Sequence, residues 1–96
     1  MKGRVLTGPR RAESRARFHL EKAVAMCDGL SPSPYLSFAL GIPVMQQNYD
    51  EFEGLLNRAL AIDPADDPDN ELLIVLYQDK ARWYLEHRED YFLLDF

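Results

Sequence analysis

One spacing of apolar residues occurs twice in this chain and limits its possible folds more than any other feature. The complete form is Phe52, Leu56, Ala59 and Pro64, and the earlier form is Ala16, Leu20 and Ala23. Ala23 and Ala59 lie 36 residues apart, close to the period of roughly 34 residues in tetratricopeptide-like helix pairs. Such a pair cannot bury its apolar face alone, so it stacks on a neighbour and serves binding more often than catalysis.

The composition is that of a small globular domain. The 96 residues are 47% hydrophobic and 28% charged, which suits one folded domain with a modest core. The formal net charge of −5 argues against nucleic acid as the main partner. Six basic residues and one acidic residue give residues 1–17 a charge of +5, and five basic and fifteen acidic residues give the remainder −10. We interpret the basic start as a solvated first helical turn with a frayed terminus.

Periodicity and helix breakers predict an all-α chain with a flexible tail over residues 1–8 and a single helical-repeat domain over residues 9–96. The predicted helices cover about 9–27, 34–40, 48–62 and 68–87, followed by an apolar C-terminal tail. Gly41 and Pro43 are expected to end the second helix and to leave a loop or one irregular turn behind it.

Capping residues are predicted at the starts of three helices. Ser33 is expected to cap the second helix, with Pro34 at its first position. Asn48 and Glu51 have the spacing of a capping box. The fourth helix is expected to begin at residue 68, a proline, with Asp67 as its cap.

The fourth helix begins with a continuous apolar run over residues 72–77. The same run suits a buried strand, but the apolar periodicity continues without a glycine or proline as far as Leu85, so a helix is favoured. Because the run is apolar almost all round, we expect the first half of this helix to be largely buried. At six residues, it is too short to span a membrane.

Two groups of apolar residues are candidates for binding. The first is the C-terminal tail, which must fold back onto the helices, pack on another chain or stay exposed; its possible interface residues are Tyr91, Phe92, Leu93, Leu94 and Phe96. The second is a set of aromatic residues that either belong to the core or line a groove: Tyr35, Phe38, Tyr77 and Trp83. Asp79 lies on an apolar stripe, and it either pairs with Lys80, Arg82 or Arg88 or marks a polar point in such a groove.

The chain holds no recognisable catalytic or metal-binding motif. The acidic residues 63–71 do not match the calcium-binding EF-hand loop, and their positions suit turns and helix caps. His19 and His87 have no second histidine at helical zinc spacing, and Cys27 has no basic partner motif beside it. We therefore predict no cofactor, no metal and no enzymatic activity.

Several segments taken together resemble the T-component family of TRAP transporters. They are residues 33–39, 50–52, 55–64 and 81–85, together with Asp90, Phe92 and Leu93. The resemblance covers about residues 12–94 and only the C-terminal part of the much longer family members. It implies an all-α, tetratricopeptide-like fold and a periplasmic, commonly lipid-anchored protein that associates with the substrate-binding subunit. The compartment is left open, because residues 1–26 contain no export signal.

Two functions follow as hypotheses. The first is a non-enzymatic helical-repeat module that engages a periplasmic solute-binding protein or an apolar ligand, as the resemblance implies. The alternative is a generic cytoplasmic helical scaffold that self-associates through an apolar edge. A homo-oligomer is expected, because stacked arrays need about three repeats to bury a continuous core. The edge is expected at the first helix, where further repeats would stack.

Overall fold

A computed structural model of the chain describes residues 8–93. Its α-helices are α1 (Gly8–Met26), α2 (Ser33–Ala39), α3 (Ile42–Met45), α4 (Tyr49–Leu60) and α5 (Glu71–Glu86), and 3-10 turns cover Pro64–Asp66, Pro68–Asn70 and Arg88–Asp90. Strands are absent from the described residues, so the all-α prediction is confirmed. Of the tail predicted over residues 1–8, the first seven residues lie outside the described part, and Gly8 already belongs to α1.

At the start of α4, one of the two hydrogen bonds of the predicted capping box is present. The side chain of Asn48 accepts a hydrogen bond from the backbone N–H of Glu51 at 3.2 Å. The Glu51 carboxylate does not return to the cap, because it receives two hydrogen bonds from Arg17 instead. One orphan donor of the helix is therefore satisfied locally, and the second half of the motif serves a contact between helices.

The start of α2 differs from the prediction. Pro32 takes the cap position, and no side chain caps the helix. Ser33 is the first helical residue, and its N–H donates to the Ser31 hydroxyl at 3.3 Å. The expected role of Ser33 as the cap is wrong, because the N–H groups of Tyr35 and Leu36, from which it would accept, donate to the Pro32 carbonyl. Pro34 is accordingly the second helical residue and not the first. After α2, the single turn of α3 agrees with the expected irregular turn.

The predicted start of α5 at residue 68 is three residues too early. Pro68–Asn70 forms a 3-10 turn, and the α-helix begins at Glu71. Asp67 does not cap a backbone N–H; its carboxylate accepts from the side-chain amide of Asn70 at 3.0 Å. Two closely spaced prolines remove backbone donors here, and short 3-10 turns suit such a segment.

The helices form a flat molecule. In space, α1 packs against α2, α2 against α4, and both α4 and α2 against α5. The Cα positions extend 49 Å and 37 Å in two directions but only 14 Å in the third. The Cα atoms of one helix span only about 4.6 Å, so this thickness accommodates at most two packed helices, and outer helix faces remain open.

The core is built around α4. Phe52, Leu56 and Ala59 of this helix are fully buried. The residues of the core cluster are Leu36, Phe38, Ala39, Phe52, Leu55, Leu56, Ala59, Ala81 and Phe92. Since they come from α2, α4, α5 and the segment after α5, the core fills the space that these elements share.

The segment after α5 folds back onto α4. The ring of Phe92 lies 4.9 Å from that of Phe52 and 5.5 Å from that of Tyr49, edge-on in both cases. The side chain of Gln47 donates to the Tyr91 carbonyl at 3.0 Å and accepts from the Leu93 N–H at 2.9 Å. Three arrangements were considered for the tail, and residues 91 and 92 adopt the one in which it folds back onto the helices.

Candidate functional site

The outer face of α5 is an exposed apolar surface, formed by Leu72, Leu73, Val75, Leu76 and Trp83. Leu72 is 74% exposed, and only Ile74, Gln78 and Ala81 of this helix are buried. The expectation that the first half of α5 is largely buried is therefore wrong. Helices α4 and α2 cover one side of α5, and an all-round apolar helix then presents its other side to solvent.

A shallow groove of about 470 Å³ runs along this outer face. Tyr77 and Trp83 line it together with Leu73 and Leu76. Trp83 is 46% exposed, and its ring stacks on that of His87 at 3.9 Å between centroids. A half-exposed tryptophan held in one orientation beside leucines has the properties of an anchor residue in a protein interface.

The polar edge of the groove is Asp79, which also lines it. The Asp79 carboxylate accepts a hydrogen bond from Arg82 Nη1 at 3.0 Å. Of the partners considered from the sequence, Arg82 is the one found. Both side chains are more than half exposed, so the pair adds little to stability and remains accessible to a binding partner.

A second open surface, which we name the α1 groove, lies between α1 and the pair α2 and α3. It has a volume of about 540 Å³, and α1 lines it with Ala16, His19, Leu20 and Ala23. The opposite wall is formed by residues of α2, α3 and their connection, including Pro34, Phe38, Ile42 and Met45. A volume of this size is within the range of ligand-binding clefts and of grooves that accept a helix.

The rim of the α1 groove carries basic residues on its α1 side. Arg15 and Lys22 lie four residues before and three residues after His19, so they are its neighbours on the helix surface. All three side chains are exposed. The opposite wall has no charged residue, since α2 and α3 contain none. The groove therefore combines an apolar floor with one positive edge.

Arg17 ties α1 to α4 next to this groove. Its guanidinium donates two hydrogen bonds to the Glu51 carboxylate at 2.6 and 3.0 Å, and one to Glu13 at 2.9 Å. It also lies over the Phe38 ring at 5.2 Å. The hydrogen bonds from Arg17 lower the pKa of Glu51, and those to both carboxylates raise the pKa of Arg17. The sequence did not predict this contact between α1 and α4, because Arg17 and Glu51 lie 34 residues apart.

Gln78 is a buried polar residue that sequence reasoning also missed. Its side-chain amide donates to the carbonyls of Ala59 at 3.1 Å and Ile62 at 2.7 Å. Ala59 lies in the last turn of α4 and Ile62 lies just after the helix, a region where backbone acceptors lack i+4 partners. The only sequence signal for this role is the position of Gln78 four residues after Ile74 and three before Ala81, which places all three on one helix face.

The structure places the four aromatic residues of the predicted groove at different points. Phe38 is buried and lines the α1 groove, whereas Tyr77 and Trp83 line the groove on α5. Tyr35 is half-buried against the core. Phe38 therefore belongs to the core and to a groove wall at the same time, and Trp83 is the most exposed of the four.

The predicted C-terminal interface divides into a buried and an exposed part. Phe92 is 4% exposed and Tyr91 packs against the core, so the chain itself covers their rings. Leu93 is 95% exposed. Leu94 and Phe96 lie outside the described residues. The surface available to a partner at this end therefore begins at Leu93.

The residues that were weighed for metal binding or catalysis have structural contacts. Within residues 8–93, no three side chains of His, Cys, Asp or Glu lie together as a metal site would require. Asp63 caps the following turn by accepting from the Ala65 N–H at 2.9 Å. The Cys27 thiol donates to the Ala23 carbonyl at 3.0 Å.

Each helix in the described part of the chain is too short or too polar to cross a lipid bilayer.

Comparison with known proteins gives one family and one curated relative. The family model described as "TRAP transporter T-component" matches residues 12–92. An uncharacterized protein of Treponema pallidum (strain Nichols) is 35% identical over 79 residues, which cover 82% of this chain and 24% of the relative. The chain therefore spans about a quarter of the length of that relative. No solved structure matches the chain.

Proposed function

Because the chain belongs to the TRAP transporter T-component family, we propose that it is a non-enzymatic, tetratricopeptide-like module that binds the solute-binding subunit of such a transporter. The observation that carries this proposal is the outer face of α5. Its large apolar side chains lie exposed in a row beside a half-exposed tryptophan. Exposed apolar patches on small domains mark protein contacts more often than catalytic sites.

The composition of this face favours a protein partner over a small apolar ligand. The groove on α5 is shallow, and Asp79 and Lys80 stand at its edge. A small ligand needs a concave site that covers most of its surface. A protein surface instead uses aromatic anchors that are surrounded by a polar rim. Trp83 supplies the anchor, and Asp79 and Arg82 supply part of the rim.

The experiment is a binding titration of the purified chain with purified TRAP-type solute-binding subunits from the same organism. We expect one of them to bind, and Trp83→Ala to weaken that binding by about 2 kcal/mol, as interface tryptophans do. Leu76→Ala should weaken it less, since a leucine contributes less buried area. Phe18→Ala is the matched control, because Phe18 is 60% exposed on α1, away from the proposed contact.

Two outcomes would contradict the proposal. If none of the solute-binding subunits binds the parent chain, the partner is wrong. If binding survives Trp83→Ala and Leu76→Ala but is abolished by Leu93→Asp, the contact lies at the C-terminal segment. Circular dichroism of each variant separates lost contact from lost folding.

The expected homo-oligomer is also part of the proposal. The helix packing leaves apolar side chains of both α1 and α5 exposed, including Met26 and Leu72. Two copies that cover these surfaces would bury more apolar area than either copy does alone.

A further inference from the structure

The repeated spacing relates the α1 groove to the centre of the core. The four buried residues of α4 are Phe52, Leu55, Leu56 and Ala59. The residues 36 positions earlier are Ala16, His19, Leu20 and Ala23, and these are the four that α1 contributes to the groove. The same helix surface is therefore covered in α4 and open in α1.

Helices α2 and α5 show the same relation. In α2, Leu36 and Ala39 are buried in the core that it shares with α4. The residues 36 positions later in α5 are Leu72 and Val75, and both are exposed. Leu40, which is partly buried, corresponds to the exposed Leu76. Thus α5 displays the residues with which α2 covers α4, and nothing within the described residues receives them.

We propose that the α1 groove receives α5 of a second copy of this chain, in the way that α4 receives α2 within one copy. The side chains that enter the groove are Leu72, Val75 and Leu76, which have the i, i+3 and i+4 spacing of one helix face. Ala16 stands where α4 has Phe52, so the groove lacks that ring and keeps an open volume of about 540 Å³. Met45, which is exposed on the opposite wall, can adjust to their shape.

Charge supports a second copy as the occupant. The α1 groove has a basic rim at Arg15 and Lys22, whereas acidic residues precede and begin α5, including Asp69 and Glu71. Since α2 and α4 form a hairpin, the equivalent pairing of α5 with α1 is antiparallel. This orientation brings Glu71 towards Lys22 and Asp79 towards Arg15. The chain thus contains both an apolar helix with an acidic start and an apolar groove with a basic rim.

The interface joins two different surfaces of the chain, so it is a heterologous, head-to-tail contact. Each copy keeps one free groove and one free α5 face after pairing, and further copies add at both ends unless a ring closes. The same α5 face is the proposed contact for the solute-binding subunit. Self-association and binding of that subunit therefore exclude each other at a given α5.

The test mixes two variants that each lose one surface. The groove variant carries His19→Glu and Lys22→Glu, and the face variant carries Leu72→Glu and Leu76→Glu; all four residues are exposed. Sedimentation velocity should show concentration-dependent association of the parent. Each variant alone should associate at least about tenfold more weakly, because a carboxylate must lose water in an apolar contact. An equimolar mixture should form heterodimers and nothing larger.

The mixture distinguishes this interface from a symmetric one. If α5 paired with α5, the groove variant would associate like the parent and the mixture would give no defined heterodimer; either result overturns the proposal. A parent that stays monomeric up to about 1 mM also overturns it. Phe18→Glu is the control for an added charge on another face of α1 and should leave association unchanged. If a double variant loses helical circular dichroism, the single changes His19→Glu and Leu72→Glu replace it.

These measurements use the chain alone, without a solute-binding subunit. Their failure would remove the pairing of α5 with α1 and leave the proposed transporter partner untouched. Conversely, loss of partner binding in the earlier titration would not alter the behaviour of the mixed variants.

Discussion

Helices α1 and α4 follow the same apolar spacing and end in different surroundings. In α4 the four repeated positions are buried, because α2, α5 and the segment containing Phe92 surround them. In α1 the same positions line an open groove. The spacing determines which helix face is apolar, but the neighbouring elements determine whether that face is covered.

The largest expected effect compares equivalent leucines of the two helices. Leu56 is fully buried, whereas Leu20 is only partly buried at the groove. Leu56→Ala should lower the free energy of unfolding by about 3 to 4 kcal/mol, since it leaves a cavity in the core, and Leu20→Ala by about 1 kcal/mol. Urea denaturation of both variants measures this difference. Equal losses would contradict the distinction between a covered and an open surface.

An intermediate effect tests how the two helices end. The carbonyls of Ala59 and Ile62 at the end of α4 accept from the buried Gln78. The equivalent position next to α1 is Ile42, which has no side-chain donor. Gln78→Ala should cost about 2 kcal/mol, because the Ile62 carbonyl loses its side-chain donor and the Ala59 carbonyl keeps only a backbone contact such as the Ile62 N–H at 3.5 Å.

The control for Gln78 is its exposed neighbour. Asp79→Ala should change the free energy of unfolding by less than about 0.5 kcal/mol, because its pair with Arg82 is exposed. A Gln78→Ala variant as stable as Asp79→Ala would mean that water satisfies the carbonyls equally well.

The smallest expected effect concerns the ion pair between α1 and α4. The pKa of Glu51 is lowered by its hydrogen bonds from Arg17. The stabilisation is therefore complete above the pKa of Glu51 in the unfolded chain and is lost as pH falls through the lower folded pKa. Since both side chains are partly exposed, Glu51→Gln should cost about 1 kcal/mol at neutral pH.

The pH dependence checks that assignment. Urea midpoints from neutral pH down to about pH 3 should converge for the parent and Glu51→Gln as Glu51 becomes protonated in the parent. A constant difference between the two urea midpoints over this pH range would show that Glu51 stabilises the chain by packing and not by its charge.

The sequence predicted the helices well and their exposure poorly. The four longer helices match their predicted ranges at most ends, because the apolar period and the breaking residues are local signals. The error at Pro68 is also local, since two nearby prolines favour 3-10 turns over an early α-helical start. The all-round apolar run of α5 gave no information on which side another helix would cover.

Contacts between residues far apart in the sequence were the main features that the sequence did not predict. Glu51 was predicted only as part of a capping box and Arg17 only as part of a basic start, and the packing of α1 beside α4 brings them together. Gln78 was assigned no role from the sequence, although its side chain donates to carbonyls at the end of α4. The α1 groove followed only in part from the sequence: an apolar edge at α1 was expected, but its opposite wall depends on how α2 and α3 turn.

The central claim is that the outer face of α5 is the surface that binds the solute-binding subunit. Hydrogen exchange with and without that subunit tests it most directly, in the His19→Glu and Lys22→Glu variant, whose weakened self-association keeps a second copy from covering α5. We predict slower exchange of the α5 amides over Glu71–Glu86 on binding and unchanged exchange in α1. Protection confined to α1 or to residues 91–93, with α5 unchanged, would contradict the claim.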